Sequence, residues 1–371
     1  MGSGNLHFDL TPLKHGGDLK RWSRLTNGVA DDWLDLSSAC NREPWPIPNI
    51  PNEEWHELPD QNVLYKAASE YFKVKPIAIG SGSQQFIEVL PVLFSANTTI
   101  KENARKIVKV PKIGYKEHAF AWKKWGFSVQ SYEHLDELID STWFTAVVVN
   151  PNNPTAEMAS VSTLEKLLIQ VRSTSNNPID GLEARHLVVD EAFMDATPEY
   201  SLLTNHIEDI ALGNVWVMRS VGKFFGLPGA RVGFLFAAHE YANSINNLIG
   251  PWAVATPALY LVAKALRDSK WQTCAREALS IRHQHFWQII RPKLNTVFDS
   301  QAVRSNALFY TWQLDTEEET EQAFDWLHRV GIHVRRGECW IRVALPAMAE
   351  MDQLDKGLIR LIRGDGLKDL S

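Results

Sequence analysis

Lys223 is the residue on which chemistry can be built. It stands in WVMRSVGKFFGLPGARVGFLF, residues 216–236, after an apolar run that ends at Ser220 and before a Gly/Pro turn leading to Arg231 and a second apolar run. Burial penalises the ammonium form of a lysine, and the neutral amine is the form that condenses with an aldehyde. Schiff-base chemistry is therefore the first expectation. Ser220, Arg231 and the amides around Gly226 and Gly229 suit an anion held close to that amine. Taken singly, a lysine between two strands is more often a solvated loop residue, and an arginine after a turn a surface charge.

Four other groups extend the pattern. Asp190 closes the apolar run HLVVD, where a carboxylate needs a cationic or hydrogen-bonding partner. The turn NPNNPT, residues 150–155, is rigid enough to present the amide of Asn153 beside a bound ring, although alone it reads as a strand-ending turn. In GSGSQQ, residues 80–85, small residues lead through Ser83 into a helix beginning near Gln84, and free amides at such a terminus suit a phosphate. That loop alone is more often an ordinary turn. Arg342, in WIRVALP, is a cation inside an apolar strand and must meet a structural acid or a substrate carboxylate. Nearby Arg335 and Arg336 are rim charges or the receptors of a second anion. Tyr115, in PKIGYKEH, is a half-buried aromatic before a helix.

These residues need a frame, and the apolar pattern supplies one. Runs at 106–110, 146–149, 187–189, 215–218 and 232–236 alternate with helix-like stretches such as 117–125 and 164–171. Unbroken apolar strands with helices between them indicate an α/β fold with a mostly parallel central sheet covered by helices on both faces. Ligands in such sheets lie beyond the C-terminal ends of the strands, where Ser83, Asn153, Asp190 and Lys223 fall. After residue 250 long helical runs and short strands indicate a smaller α+β domain. The expected division is an N-terminal arm over 1–32 contributing to the small domain, a large domain over 33–250 and a small one over 251–371.

Composition narrows the partners. The chain has 371 residues, 45% of them hydrophobic, with 38 Lys and Arg against 44 Asp and Glu and no long run of one sign. Neither a nucleic-acid surface nor a membrane face is expected, so the partner is a small molecule. Cys40, Cys274 and Cys339 are widely spaced and form no C-x-x-C, which fits a reducing compartment and argues against disulfides or a metal site. The start MGSGNLHFDL lacks a basic region followed by an apolar stretch, so a soluble cytoplasmic protein is expected.

Taken together, GSGSQQ, NPNNPT, VVDEAF, SVGKFFGLPGAR and WIRVAL stand in the order found in fold-type I pyridoxal-phosphate enzymes, the class I/II aminotransferase group, which the chain resembles over nearly its whole length. The resemblance implies an aspartate-aminotransferase-like fold and pyridoxal 5′-phosphate as cofactor. It implies that Lys223 carries the cofactor, that Ser83, Gln84, Ser220 and Arg231 bind its phosphate, that Asn153 reaches the ring oxygen and that Asp190 keeps the ring nitrogen protonated. Tyr115 matches the ring-stacking aromatic and Arg342 the receptor of the substrate α-carboxylate. Three residues after Asp190 the family commonly has a tyrosine supporting the ring oxygen, and here Phe193 stands instead.

Within this group HGGDL, WLDLSSACNREPWP and YKEHAFAW resemble segments of the threonine-phosphate decarboxylases of cobalamin synthesis, with Arg42 in place of the usual proline after Asn41. That resemblance implies a phosphorylated amino acid as substrate, with Asn41, Arg342 and His15 setting the rotation about Cα. Arg336, then Arg42, then Arg335 are the candidates for its phosphate. The alternative is an aminotransferase of the histidinol-phosphate type, although Leu58-Pro59 stands where such enzymes have Tyr-Pro. A cofactor-binding regulator and a non-catalytic fold relative fit less well. Enzymes of this group are usually homodimers, so a homodimer is expected.

Overall fold

The computed structural model describes residues 19, 33–96, 99–175 and 184–364. His15 and nearly all of the expected N-terminal arm lie outside the described residues. Strand β1 (Leu34–Asp35) stands apart from the main sheet. That sheet is built from β2 (Ala78–Gly80), β3 (Ile107–Pro111), β4 (Ser128–Tyr132), β5 (Thr145–Val149), β6 (His186–Asp190), β7 (Val215–Ser220) and β8 (Gly233–Phe236), in the order β2-β8-β7-β6-β5-β3-β4. From β7 through β4 every neighbouring pair is parallel, and only β8 runs against its neighbours β7 and β2. The expected α/β architecture with a mostly parallel sheet is what the chain adopts. Edge strand β4 was not foreseen, because its SVQSY leaves residues exposed and breaks the apolar pattern.

Why the strands are apolar throughout follows from what covers them. Along β6 and β7, Leu187, Val189, Val215 and Val217 face a core shared with Leu64, Leu167 and Val262 of the helices Asn62–Phe72, Val161–Ser175 and Thr256–Arg267. The alternating Val188, Trp216 and Met218 face the other core, with Phe86 and Trp122 from the helices Ser83–Ser95 and Glu117–Lys124. Side chains of a strand alternate between faces, so a strand sandwiched by two helical layers needs an apolar residue at every position.

The C-terminal part forms a second, antiparallel sheet from β9 (Val303–Asn306), β10 (Phe309–Gln313), β12 (Arg335–Arg336) and β13 (Trp340–Ala344), in the order β12-β13-β10-β9. Helices Glu317–Arg329 and Met348–Arg363 pack around it, the first started by a capping box in which Thr316 and Glu319 each bind the other's backbone amide. β11 (Ile332–His333) instead pairs in parallel with β1. The strap that follows β1, residues 36–45, is tied to the C-terminal sheet at one end by the Leu36 carbonyl, which accepts from the Ala344 amide of β13 at 2.9 Å. No helix among the described residues is long and apolar enough to cross a membrane.

Two histidines in these layers carry a cost in acid. Burial, and then the charge of Lys106, hold the His186 imidazole down to about 3; burial, then His333 and Arg336, do the same for His328. The unfolded chain takes up these protons near pH 6.5, so their stabilising contribution is complete above that value and is lost as pH falls towards 3. Each should lower stability by about 1 kcal/mol per pH unit in that window. Denaturant midpoints measured from pH 7 to pH 4 should fall steadily, and His186→Phe, whose ring would sit against Phe94, should flatten the slope.

Candidate active site

The alternation that builds the two cores also delivers the site. Beyond Val189, which faces the first core, Asp190 turns to the second, where helix Glu117–Lys124 places His118. Asp190 Oδ2 lies 3.1 Å from His118 Nε2, while its Oδ1 accepts a hydrogen bond from the Ala192 amide at 3.0 Å. Both side chains are almost wholly buried. The partner that a buried carboxylate requires is therefore His118, which lies inside YKEHAFAW but was not singled out.

One residue further along each strand the chemistry differs. Arg219 of β7 points to the opposite face and meets two carboxylates, Glu191 at 2.9 Å and Asp195 at 2.5 Å. Ser201 and Tyr71 complete this closed network through Glu191 and Asp195. Burial works against the Arg219 charge, but Asp195 and Glu191 outweigh it and hold the guanidinium protonated.

Lys223 follows β7 and is half-buried rather than enclosed. Its Nζ lies 5.3 Å from the ring centre of Phe193, which itself packs edge-on against Phe309. The position expected to hold a tyrosine thus presents a ring to the lysine and no hydroxyl. Close by, Ser220 Oγ accepts from the Gly222 amide at 3.3 Å.

Two backbone segments meet at the expected phosphate site. Gly82, at φ +85°, precedes the helix that begins at Ser83, and a Cβ placed on it would lie 2.9 Å from Arg231 Nη2. A Cβ on Gly233 would lie 2.5 Å from the Ser83 amide nitrogen. Only glycines let the Arg231 guanidinium and the first-turn amides of this helix converge, and amides at a helix start have no intrahelical acceptor. An anion such as a phosphate fits that cradle. Gln84 extends sideways, its Oε1 accepting from the Tyr115 hydroxyl at 3.0 Å and its Nε2 donating to Glu117 at 3.2 Å. Burial, then Glu117 and Asp190, push the Tyr115 phenol up to about 12, with Arg231 and Arg335 pulling the other way. Those four charges surround Tyr115.

Arg342, on β13, reaches across from the C-terminal sheet. Its Nη1 donates to Asn153 Oδ1, its Nη2 donates to the Ser37 carbonyl at 2.6 Å, and its guanidinium lies 5.2 Å from the ring centre of Phe309. Among the described residues no carboxylate lies within ion-pair distance of it. Burial, reinforced by Arg335, brings its pKa down to about 10.

Arg335 pairs directly with Arg342 across β12 and β13, so the two share one face of the sheet. Arg336 opposes Ile341 on the other face, bound to Glu321 at 3.0 Å and lying over Phe324. The expected order of the phosphate candidates is thus corrected: alternation sends Arg336 away from the site and Arg335 towards it. Arg42 is likewise engaged elsewhere, in a two-pronged pair with Glu350.

Asn41, expected at the substrate, has a committed carboxamide. Its Nδ2 donates to the Phe224 carbonyl at 3.1 Å, and its Oδ1 accepts from the Glu43 amide at 3.1 Å and from Arg282 at 2.7 Å. Contacts thus join Asn153 to Arg342, Gln84 to Tyr115 and Arg231 to the loop at Gly82, and set Phe193 beside Lys223; with Asp190 at the end of β6 these groups make up the candidate site. A phosphate-bearing aldehyde with a basic ring nitrogen fits it: amine at Lys223, phosphate cradle at Arg231, carboxylate at Asp190.

A family model, aminotransferase class I and II, matches residues 52–361. The chain is 34% identical over 277 residues to a threonine-phosphate decarboxylase of Sinorhizobium sp., covering 73% of this chain and 76% of that one. It is 32% identical to the threonine-phosphate decarboxylase of Pseudomonas aeruginosa over 94% of this chain and 97% of the other. In fold it resembles the histidinol-phosphate aminotransferase from Sinorhizobium meliloti, solved in complex with pyridoxal-5′-phosphate, with a TM-score of 0.74 at 19% identity over 98% and 99% of the two chains.

Replacing His118 by phenylalanine removes a partner of a buried carboxylate, and hydrogen bonds to charged groups contribute about 1.5–3 kcal/mol. Affinity for pyridoxal 5′-phosphate, measured by equilibrium dialysis of the cofactor-free protein, should weaken about 10- to 100-fold.

Proposed function

Because this chain belongs to the class I and II aminotransferase family, we propose that it uses pyridoxal 5′-phosphate to decarboxylate L-threonine O-3-phosphate, giving (R)-1-amino-2-propanol O-2-phosphate. The observation that carries the reading is the pair Arg335 and Arg342, two arginines on one face of the C-terminal sheet beside the site, which suit a substrate bearing both a carboxylate and a phosphate. Threonine-phosphate decarboxylases matched over most of the chain support the same substrate class. Through that product the enzyme would serve cobalamin synthesis.

When bound, the cofactor supplies an electron sink for the pair released at Cα. Lys223 would hold it covalently, Asp190 would meet the ring nitrogen, Asn153 the ring oxygen, and Ser83, Gln84, Ser220 and Arg231 the phosphate. Arg342 receives the substrate carboxylate and Arg335 the distal phosphate, fixing the rotation about Cα between two anchors. By holding both ends of the substrate, these anchors would present the carboxylate rather than the hydrogen of Cα for cleavage. The Cα–carboxylate bond would break and carbon dioxide would leave, and Lys223, freed when the substrate amine displaces it and carrying the proton that amine gives up, would return that proton to Cα. Tyr115, protonated up to about pH 12, holds Gln84 at the edge of the phosphate cradle.

The assembly we propose is a cytoplasmic homodimer, with the site between a large domain over 33–250 and a small domain over 251–371. Exposed Ile47, Trp55, Leu58 and Val63, with Trp252 near the 256–267 helix, support a covered apolar surface. Thr256 Oγ1 donates to the Glu57 carbonyl at 2.8 Å and holds the two segments together.

The reaction is tested by incubating the protein with pyridoxal 5′-phosphate and L-threonine O-3-phosphate, with and without 2-oxoglutarate, while following carbon dioxide and glutamate together. Carbon dioxide should appear without the acceptor. Glutamate without carbon dioxide would make this an aminotransferase.

The substrate cations are tested separately. Arg335→Ala should raise KM for the phosphorylated substrate about tenfold or more, the scale of one lost charge-assisted pair. Arg336→Ala removes only a half-exposed pair with Glu321 and should leave KM within about twofold.

A further inference from the structure

The structure contains a buried arginine that is linked, through Asn41, to the backbone of the lysine loop. Arg282, in helix Ser269–His285, is 2% exposed. It donates from Nη1 to the Pro346 carbonyl at 3.2 Å and from Nη2 to Asn41 Oδ1 at 2.7 Å, with Glu43 Oε2 3.6 Å from its Nε. Asn41 in turn is joined to two successive carbonyls of the loop: its amide donates to Lys223 O at 2.8 Å and its Nδ2 to Phe224 O at 3.1 Å. Trp45 adds a third bond, from its amide to Phe225 O at 2.9 Å.

We propose that Arg282 is a positioning residue for Lys223, acting through Asn41; this rests on the reading of Lys223 as the residue that carries the cofactor. A cation on the Asn41 oxygen draws charge through the amide and strengthens its Nδ2–H as a donor to Phe224. It also fixes which way the carboxamide faces, because the Arg282 donors and the Phe224 acceptor together allow one orientation. The Lys223 carbonyl accepts a second bond, from Gly226 at 3.2 Å. Gly226 has φ +65°, and a Cβ on it would lie 2.7 Å from the Asn41 carbonyl and 2.6 Å from Pro44, so strap and loop fit without spare room. With the backbone of 223–225 held at three carbonyls, the lysine side chain swings from a fixed root.

The same strap is gripped from the other side by β13. Ser37 O accepts from Arg342, and the Leu36 carbonyl accepts from the Ala344 amide at 2.9 Å. Arg282 therefore anchors the middle of a segment whose one end answers to the carboxylate-binding arginine and whose other end answers to the lysine.

The test uses the holoenzyme and three variants, Arg282→Met, Arg282→Lys and Asn41→Asp. Asn41→Asp retains a partner for Arg282 but sets a carboxylate oxygen against the Phe224 carbonyl. In Arg282→Met and Asn41→Asp, backbone hydrogen exchange in the 223–226 segment should quicken about tenfold relative to the rest of the sheet. Turnover should fall about tenfold or more with KM nearly unchanged, the signature of a displaced reacting group. Arg282→Lys should recover most of both. If Arg282→Met fails to fold, Asn41→Asp gives the same readings. Unchanged exchange at 223–226 in folded variants would overturn the proposal, as would a uniform loss of protection throughout the protein or a failure of both variants to fold. Borohydride reduction of wild type is the separate control. Cofactor trapped on a residue other than Lys223 would overturn the underlying reading and the positioning role with it, whereas trapping on Lys223 with unaltered loop exchange in the variants would overturn the positioning role alone.

Discussion

The site depends on one constraint, the two-residue alternation of side chains along β6 and β7 between two helical layers. Because Val188 and Val189 are buried on opposite faces, the next two positions also have fixed directions. Asp190 is sent to the face where His118 waits, and Arg219 to the face where Glu191, Asp195 and Tyr71 lie. A slip of one residue would exchange these environments and bury an apolar side chain against each charge. Register in such a sheet is set by burying the valines, so the hydrophobic core decides where the carboxylate of the site can be.

Much of this was legible in the sequence, and what was not has a common cause. Apolar runs separated by helices disclosed the parallel sheet, and the segments around Lys223, Asp190, Asn153 and Arg231 marked these four as candidates. The departures concern direction. Arg335 and Arg336 are adjacent in sequence and nothing in composition distinguishes them, yet their pairing with Arg342 and Ile341 sends them to opposite faces. Asn41 has the chemistry of a ligand-binding residue, but its carboxamide is occupied by contacts 183 and 241 residues away in sequence. His118 lay in a segment already singled out, and only the approach of its helix to the end of β6 makes it the partner of Asp190. Long-range partners of polar side chains leave no local periodicity, whereas apolar burial does.

Two buried arginines separate structural from functional charge. Arg219 meets two carboxylates at 2.9 Å and 2.5 Å and gains further order from Ser201 and Tyr71. Its charge is met within the fold, and removal of Arg219 would strand two buried carboxylates. Arg342 is as deeply placed but binds only neutral acceptors, Asn153 and the Ser37 carbonyl, and Arg335 on the same face adds repulsion. That arrangement is less stable than a paired one and is improved by an arriving anion. A buried arginine held by neutral acceptors alone is thus stability given up for affinity, in the place where an anionic substrate group would restore the balance.

The same arginine is connected to both halves of the site. Through Asn153 it touches the turn at the end of β5, and through Ser37 it touches the strap that leads to Asn41 and the lysine loop. A carboxylate drawn to Arg342 must compete with or share those two neutral acceptors, so its binding is coupled to the turn and the strap at once. The choice between losing carboxylate and losing hydrogen from Cα is a choice of rotation about a single bond. Such a choice needs a frame that does not yield when the substrate pulls on it, and the bonds from the strap to three successive carbonyls at 223–225 provide that stiffness.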